Sequence, residues 1–212
     1  MMSREHILHR VRTAIGRSAG QAPGAAPPVR IRVPAGDSSA RVGAMLARVE
    51  ALAGKTYHAD TPEDACAFVA AAIAGKSALA SNAPFLAECG IAQLPGVRTG
   101  IIDREELREC CATSNIGITS ADYALADTGT LVMLSSPREA RLISLLPPAH
   151  IAVVPRERIL SGLDELFTVL PNPAGQTSSM VLITGPSRTA DIEQILVRGV
   201  HGPGEITVVV VG

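Results

Sequence analysis

Apolar residues recur at helical spacing through "SSARVGAMLARVEALAG", where Val42, Met45, Leu46, Val49 and Leu52 share one face and Gly54 marks the stop. "KTYHA" then reads as a short strand. "TPEDACAFVAAAIAG" reads as a second helix, with Thr61 as N-cap, Pro62 at the first helical position and Gly75 as the C′ residue. "SALAS" is a strand, "APFLAEC" a short helix and "VRTGII" a further strand. "DREELREC" is a helix capped by Asp103, with Glu106 three residues on. Alternation on both sides of "ADTGT" predicts a hairpin that turns at Asp127 and Gly129.

"SPREARLISLLPP" carries the signature of a capping box: Ser136 as cap, Pro137 next, Glu139 three after the cap, and Pro147–Pro148 as the end. "HIAVVP" is a buried strand, "SGLDELFTVLP" a helix and "NPAGQTSS" a loop. The last stretch, Met180 to Val211, reads as strand, tight loop, short helix, glycine turn and strand. Strands that alternate with helices predict an α/β domain: a three-layer arrangement with a largely parallel sheet covered by helices on both faces. Residues 3–17 form a candidate N-terminal helix, and 18–37 is too rich in Pro, Gly and Ala to hold a regular element. The expected division is a helical arm and linker over 1–36 and an α/β domain over 37–212.

Composition narrows the function classes. Aromatics are 2% of the chain and Trp is absent, so a 47% hydrophobic content must build an aliphatic core. A formal net charge of −1 gives no electrostatic footprint for nucleic acid or an anionic membrane. No apolar run reaches the roughly 18–20 residues of a transmembrane helix. The N-terminus has no secretory h-region, and its Arg-rich helix contains the acidic Glu5, against a transit peptide. Cys66, Cys89, Cys110 and Cys111 form no CxxC pair, and the histidines are scattered. Reduced thiols, a cytoplasmic location and no metal or cofactor bound by this chain are the expectation.

Four constellations carry candidate chemistry. "ITGPSRTADIE" follows a strand and opens the expected helix, whose free amides would suit a carboxylate or phosphate, with Gly185, Ser187, Arg188 and Thr189 adding room and donors. The same residues also suit plain helix capping, with Asp191 and Glu193 satisfying the dipole. Asp127, Thr128 and Gly129 make an Asx-turn or present a general base. His201, before Gly202 in "GVHGPGE", is either structural or an acid–base group. Arg138 and Arg141 read as a solvated face or as anion contacts. A Ser187–His201–Asp127 triad lacks the G-x-S-x-G elbow and is set aside.

"GITSADYALADTGTLVM", "LPPAHIAVVP" and "ITGPSRTADIEQILVRGVHGPGEITVVVV" together resemble the LUD domain of lactate-utilisation proteins, in its short LutC-type (YkgG-like) form, over roughly residues 40–212. "GPSRTADIE" and "GVHGP", in that order and spacing, are the most specific part. The resemblance implies a fold similar to the NagB/RpiA/CoA-transferase-like group. It implies a role in oxidising L-lactate to pyruvate beside LutA-like and LutB-like iron–sulfur partners, which would hold the clusters. "CCATS" at Cys110 lacks the glycine and further ligands of a cluster motif, so this chain resembles the cluster-free member. Many relatives carry Glu where Asp127 stands. The resemblance raises Asp127, Thr128, Gly129, Ser187, Arg188, Asp191, Glu193 and His201 as site residues without assigning their roles. On physical grounds, the helix-start loop and Arg188 are expected to hold a small carboxylate or phosphate, with Asp127 and His201 in the same pocket as hydrogen-bond or proton-transfer groups. Two other classes remain open at this stage. One is a stand-alone enzyme on a CoA-transferase-like fold acting on an acyl-CoA, sugar phosphate or folate-like substrate. The other is a ligand-sensing domain without chemistry. Homo-oligomerisation is equally open.

Overall fold

The computed structural model describes residues 3–21, 37–192 and 195–212; the side chains of 190–196 lie outside the description. Most of the expected linker, residues 22–36, is also outside it. Two compact units are distinguished, 1–30 and 31–212. The first contains α1 (Arg4–Ala14), whose Ser3 hydroxyl accepts from the His6 amide. Among the described residues no helix is long and apolar enough to cross a membrane.

The second unit is built on six strands, all parallel: β1 (Lys55–Ala59), β2 (Ala78–Ala80), β3 (Val97–Arg98), β4 (Ile116–Ser120), β7 (Ala149–Pro155) and β12 (Glu205–Val211). Their order is β1-β12-β7-β4-β2-β3. Strands buried on both faces read as continuous apolar runs, as "ITVVVV" and "IAVV" do. Residue alternation splits them between two cores. Val209, Val211, Ile151, Val153, Ile116 and Ile118 meet α3 (Pro62–Ala72) and α4 (Pro84–Glu88). Val208, Val210, Ala152 and Val154 meet α2 (Ser38–Ala51), whose Val42, Met45 and Val49 are the buried positions of its apolar stripe. Leu79 also faces this second side, against α5 (Arg104–Thr113) and α6 (Arg141–Leu145). The expected parallel sheet with helices on both faces is therefore present.

A second, four-stranded sheet packs beside α2 on the second core. It comprises β5 (Tyr123–Leu125), β6 (Thr130–Leu134), β8 (Ile159–Leu160) and β9 (Met180–Ile183), ordered β8-β5-β6-β9. The β5–β6 hairpin is the one expected around Asp127. Gly129 turns it with φ +69 in close approach to α2, where a Cβ would stand 2.8 Å from that of Arg48. The caps at Thr61 and Asp103 are as expected, and α7 (Leu163–Val169) follows β8.

Two expectations fail. The helix after Ser136 begins only at Arg141. Ser136 Oγ does accept from the Arg138 and Glu139 amides, but the Glu139 carboxyl turns inward to Ser81 instead of back to Ser136, so no capping box closes. The helix expected after Gly185 is absent. Arg188–Ile192 and Ile195–Arg198 are strands β10 and β11, paired antiparallel, with Thr189 opposite Val197. Thr189, Ile192, Ile195 and Val197 are β-branched and favour a pleated strand.

Candidate functional site

The antiparallel pair replaces the helix on which an anion site of free amides was expected, so that cradle does not exist. The sequence segments still converge. The amides of Ser187 and Gly199 close the base of the hairpin, on Pro203 and Ser187 carbonyls at 2.8 and 3.1 Å. This folds "GPS" onto "HGP" at the amino ends of β7 and β12. A cleft of about 210 Å³ opens there, its polar wall formed by Ser144, His150, Thr184, Ser187 and His201. Gly185 and Gly202 also line it, and Leu145 and Leu182 give it an apolar side.

Of the residues expected from sequence, the cleft gathers Gly185, Ser187, His201 and Gly202. Arg188 lies at its margin, donating to the Leu52 carbonyl and standing directly opposite Arg198 in the β10–β11 register. Thr189 follows in β10. Asp191 is in the same strand with its side chain outside the description, and Glu193 falls outside the described residues.

Asp127 does not line the cleft, so the expected pairing of Asp127 and His201 in one pocket is corrected. Its carboxylate is packed against Gly162, where a Cβ would fall 2.5 Å from Oδ2. It connects to the cleft through hydroxyls. Thr128 donates to Asp127 Oδ1 at 3.1 Å, Thr130 donates to Thr128 at 2.8 Å, and Thr130 and Thr184 hydroxyls meet at 2.8 Å. With Thr184 as donor the chain runs in one direction, from the cleft wall to the carboxylate.

His150 was missed by sequence reasoning. It is 1% exposed on β7, and its Nε2 meets the Thr119 hydroxyl at 2.7 Å. Burial pushes the imidazole down to about 4, so it is neutral near pH 7. Its buried Nδ1 has no partner among the described residues. In either tautomer one ring function is left for a cleft occupant. The available signal was one polar residue inside the apolar run "HIAVV".

Arg138 and Arg141 separate. Arg141 opens α6, while Arg138 lines a different cleft, at the carboxyl ends of the strands. The Cys89 and Cys111 thiols are pushed up to about 11 by burial, which keeps them protonated. Among the described residues no group of three or more His, Cys, Asp or Glu side chains is placed to hold a metal ion.

Fold and cleft define an α/β protein with a candidate site at the amino ends of two inner strands of a parallel sheet. The chain belongs to the LUD domain family, whose model matches residues 43–211. The fold is shared with a DUF162 family protein from Deinococcus radiodurans: TM-score 0.65 over 83% of this chain and 99% of that one, at 17% identity. The chain is 42% identical to lactate utilization protein C of Halalkalibacterium halodurans over 103 residues, 47% of this chain and 45% of that protein. It is 39% identical to the protein of that name from Exiguobacterium sp. over 111 residues, 50% and 48% of the two chains. The Bacillus subtilis protein is 42% identical over 94 residues, 42% and 39%. Each likeness spans less than half of the relative's length.

Proposed function

We propose that the chain is a LutC-type subunit of an iron–sulfur protein system that oxidises L-lactate to pyruvate. It holds no cluster itself, and its cleft at the amino ends of β7 and β12 takes the small carboxylate. The observation that carries this reading is the meeting of Ser187 and His201, from the two most specific segments, on one cleft in a LUD-family chain. Relatives named lactate utilization protein C support the choice of substrate.

The hairpin that flanks the cleft suits that ligand. Arg188 and Arg198 face each other across the hairpin, where like charges repel. A carboxylate between them would relieve the repulsion through charge-assisted hydrogen bonds. The Ser187 hydroxyl and the neutral His150 ring would then address the hydroxyl or carbonyl of the acid. Oxidation removes the hydroxyl proton, the C2 proton and an electron pair: His201 would take the hydroxyl proton, solvent the other, and the electrons would pass to clusters held by LutA-like and LutB-like partners.

Gentle anaerobic purification of the tagged chain from its host should recover cysteine-rich iron–sulfur subunits with lactate-dependent electron transfer. Calorimetric titration with pyruvate should show binding that Arg188→Ala and Arg198→Ala each weaken by about tenfold or more, with the circular dichroism spectrum unchanged. Pyruvate binding that survives both substitutions would sink the site. A chain recovered alone would sink the subunit assignment.

A further inference from the structure

The opposite end of the sheet carries a second cleft, of about 380 Å³, where the carboxyl ends of β2, β4 and β7 open between the segments that leave them. Open parallel sheets take their ligands at this end. Pro84 and Phe85 of α4 form an apolar wall; Asp122, Arg138, Glu139 and Arg158 face it.

Glu139 is the unusual member. It is 6% exposed. Its Oε2 accepts from the Ser81 hydroxyl at 2.7 Å, while the buried Oε1 has no partner among the described residues. Burial first, and the nearby Asp122 charge, push its carboxyl up to about 8, against the Ser81 hydroxyl and a Ser120 backbone hydrogen bond that pull it down. At neutral pH the group is therefore an uncharged acid, and a proton carried on Oε1 meets no acceptor among the described residues. The cations beside it make no close ion pair, though the Arg158 charge acts on Asp122 from a distance. Among the described residues neither Arg138 nor Arg158 has a carboxylate within ion-pair distance. Arg158 is held over the Tyr123 ring, 5.4 Å from its centroid. Asp122 is occupied by the Leu134 amide at 2.7 Å.

We propose that this second cleft binds a small organic anion. Arg138 and Arg158 would hold its carboxylate or phosphate, and its carbonyl or hydroxyl oxygen would accept a hydrogen bond from the Glu139 carboxyl. The volume falls in the range of about 300–1,000 Å³ usual for ligand pockets, and Phe85 and Pro84 give the carbon skeleton a surface. The cleft shares no lining residue with the lactate site, so the two readings stand or fall separately.

The pH response identifies the donor. Glu139 faces Ser81 after β2, Asp122 after β4, the adjoining Arg138, Arg158 and Glu157 after β7, and Glu88 of α4. As pH rises through about 8, Glu139 changes from a donor into a second negative charge beside the anion. The full chain would be titrated calorimetrically with inorganic phosphate, 2-phosphoglycolate and 2-oxoglutarate across pH about 6 to 9. At least one probe should bind at neutral pH, and phosphate-bearing against carboxylate-only probes will tell the two head groups apart. Arg138→Ala and Arg158→Ala should each weaken that binding by about tenfold, and Ser187→Ala should not. Glu139→Gln keeps a donor that does not titrate, so it should bind at pH 7 and lose the decline near pH 8. The proposal is overturned if no probe binds at millimolar concentration, if binding survives loss of both arginines, or if the wild-type pH profile is flat.

Discussion

His150 and Glu139 are both buried and both uncharged near neutrality, and they load the fold with opposite pH dependences. The imidazole is held down at about 4 by burial. The unfolded chain protonates it below about 6.5. Its contribution is therefore complete above about pH 6.5 and erodes on acidification toward about 4. Glu139 is raised to about 8 by burial, whereas the unfolded carboxyl ionises above about 4.3. What it contributes is complete below that value and is lost as pH rises to about 8. Urea unfolding of wild type, His150→Gln and Glu139→Gln across pH 5 to 8.5 separates the two. Wild type should lose about 2 kcal/mol relative to His150→Gln between pH 7 and 5. Glu139→Gln should gain about 3 kcal/mol relative to wild type between pH 5 and 7.5. Parallel curves for the three proteins would show that the fold shifts the ionisation of neither group.

At the scale of elements, the test is the segment from Arg188 to Arg198, where a helix was expected and a hairpin is found. Thr189 and Val197 are directly paired. Opposed strand residues have Cα atoms about 4.5–5.5 Å apart, within disulfide range. The same residues on one helix would be about 12 Å apart at 1.5 Å per residue, beyond disulfide reach. Thr189→Cys with Val197→Cys should therefore oxidise to an intramolecular disulfide, detected by mass shift and thiol count. Two persistent free thiols would favour the helix. The sequence misleads here for a physical reason. Ile192, Ile195 and Leu196 recur at a helical interval, and no Asn-Gly or Asp-Gly pair announces the reversal. "SPRE" misleads similarly, because a glutamate three residues after a serine reads as a cap until burial draws the carboxyl to Ser81. Where local chemistry decides alone, as at the Thr61–Pro62 and Asp103 caps or the Asp127–Gly129 turn, the elements were legible. Ser187 and His201 were legible as candidates from their segments, and the fold brings both to one cleft, while His150 and Glu139 depend on tertiary neighbours that no local pattern contains.

Across the whole molecule, β7 starts beside one cleft at His150 and ends beside the other at Pro155. Five rises of about 3.3 Å separate them, roughly 16 Å. Sites that far apart usually act additively unless a shared element has two arrangements. A contiguous path does exist: His150 bonds Thr119, and the next residue along β4, Ser120, lines the second cleft with Glu139. That path runs along a strand paired on both sides, to β7 and to β2, with unbroken register. Moving it would break both ladders, so it should transmit little. We expect Ser187→Ala and Arg138→Ala to change unfolding free energy additively, within about 0.5 kcal/mol. Phosphate-probe affinity should be the same with and without saturating pyruvate. A larger coupling energy in a double-mutant cycle, or a probe affinity that depends on pyruvate, would mean that β4 has two positions in the sheet. The clefts would then be the two ends of one switch, and linkage would require pyruvate affinity to depend on the probe by the same factor.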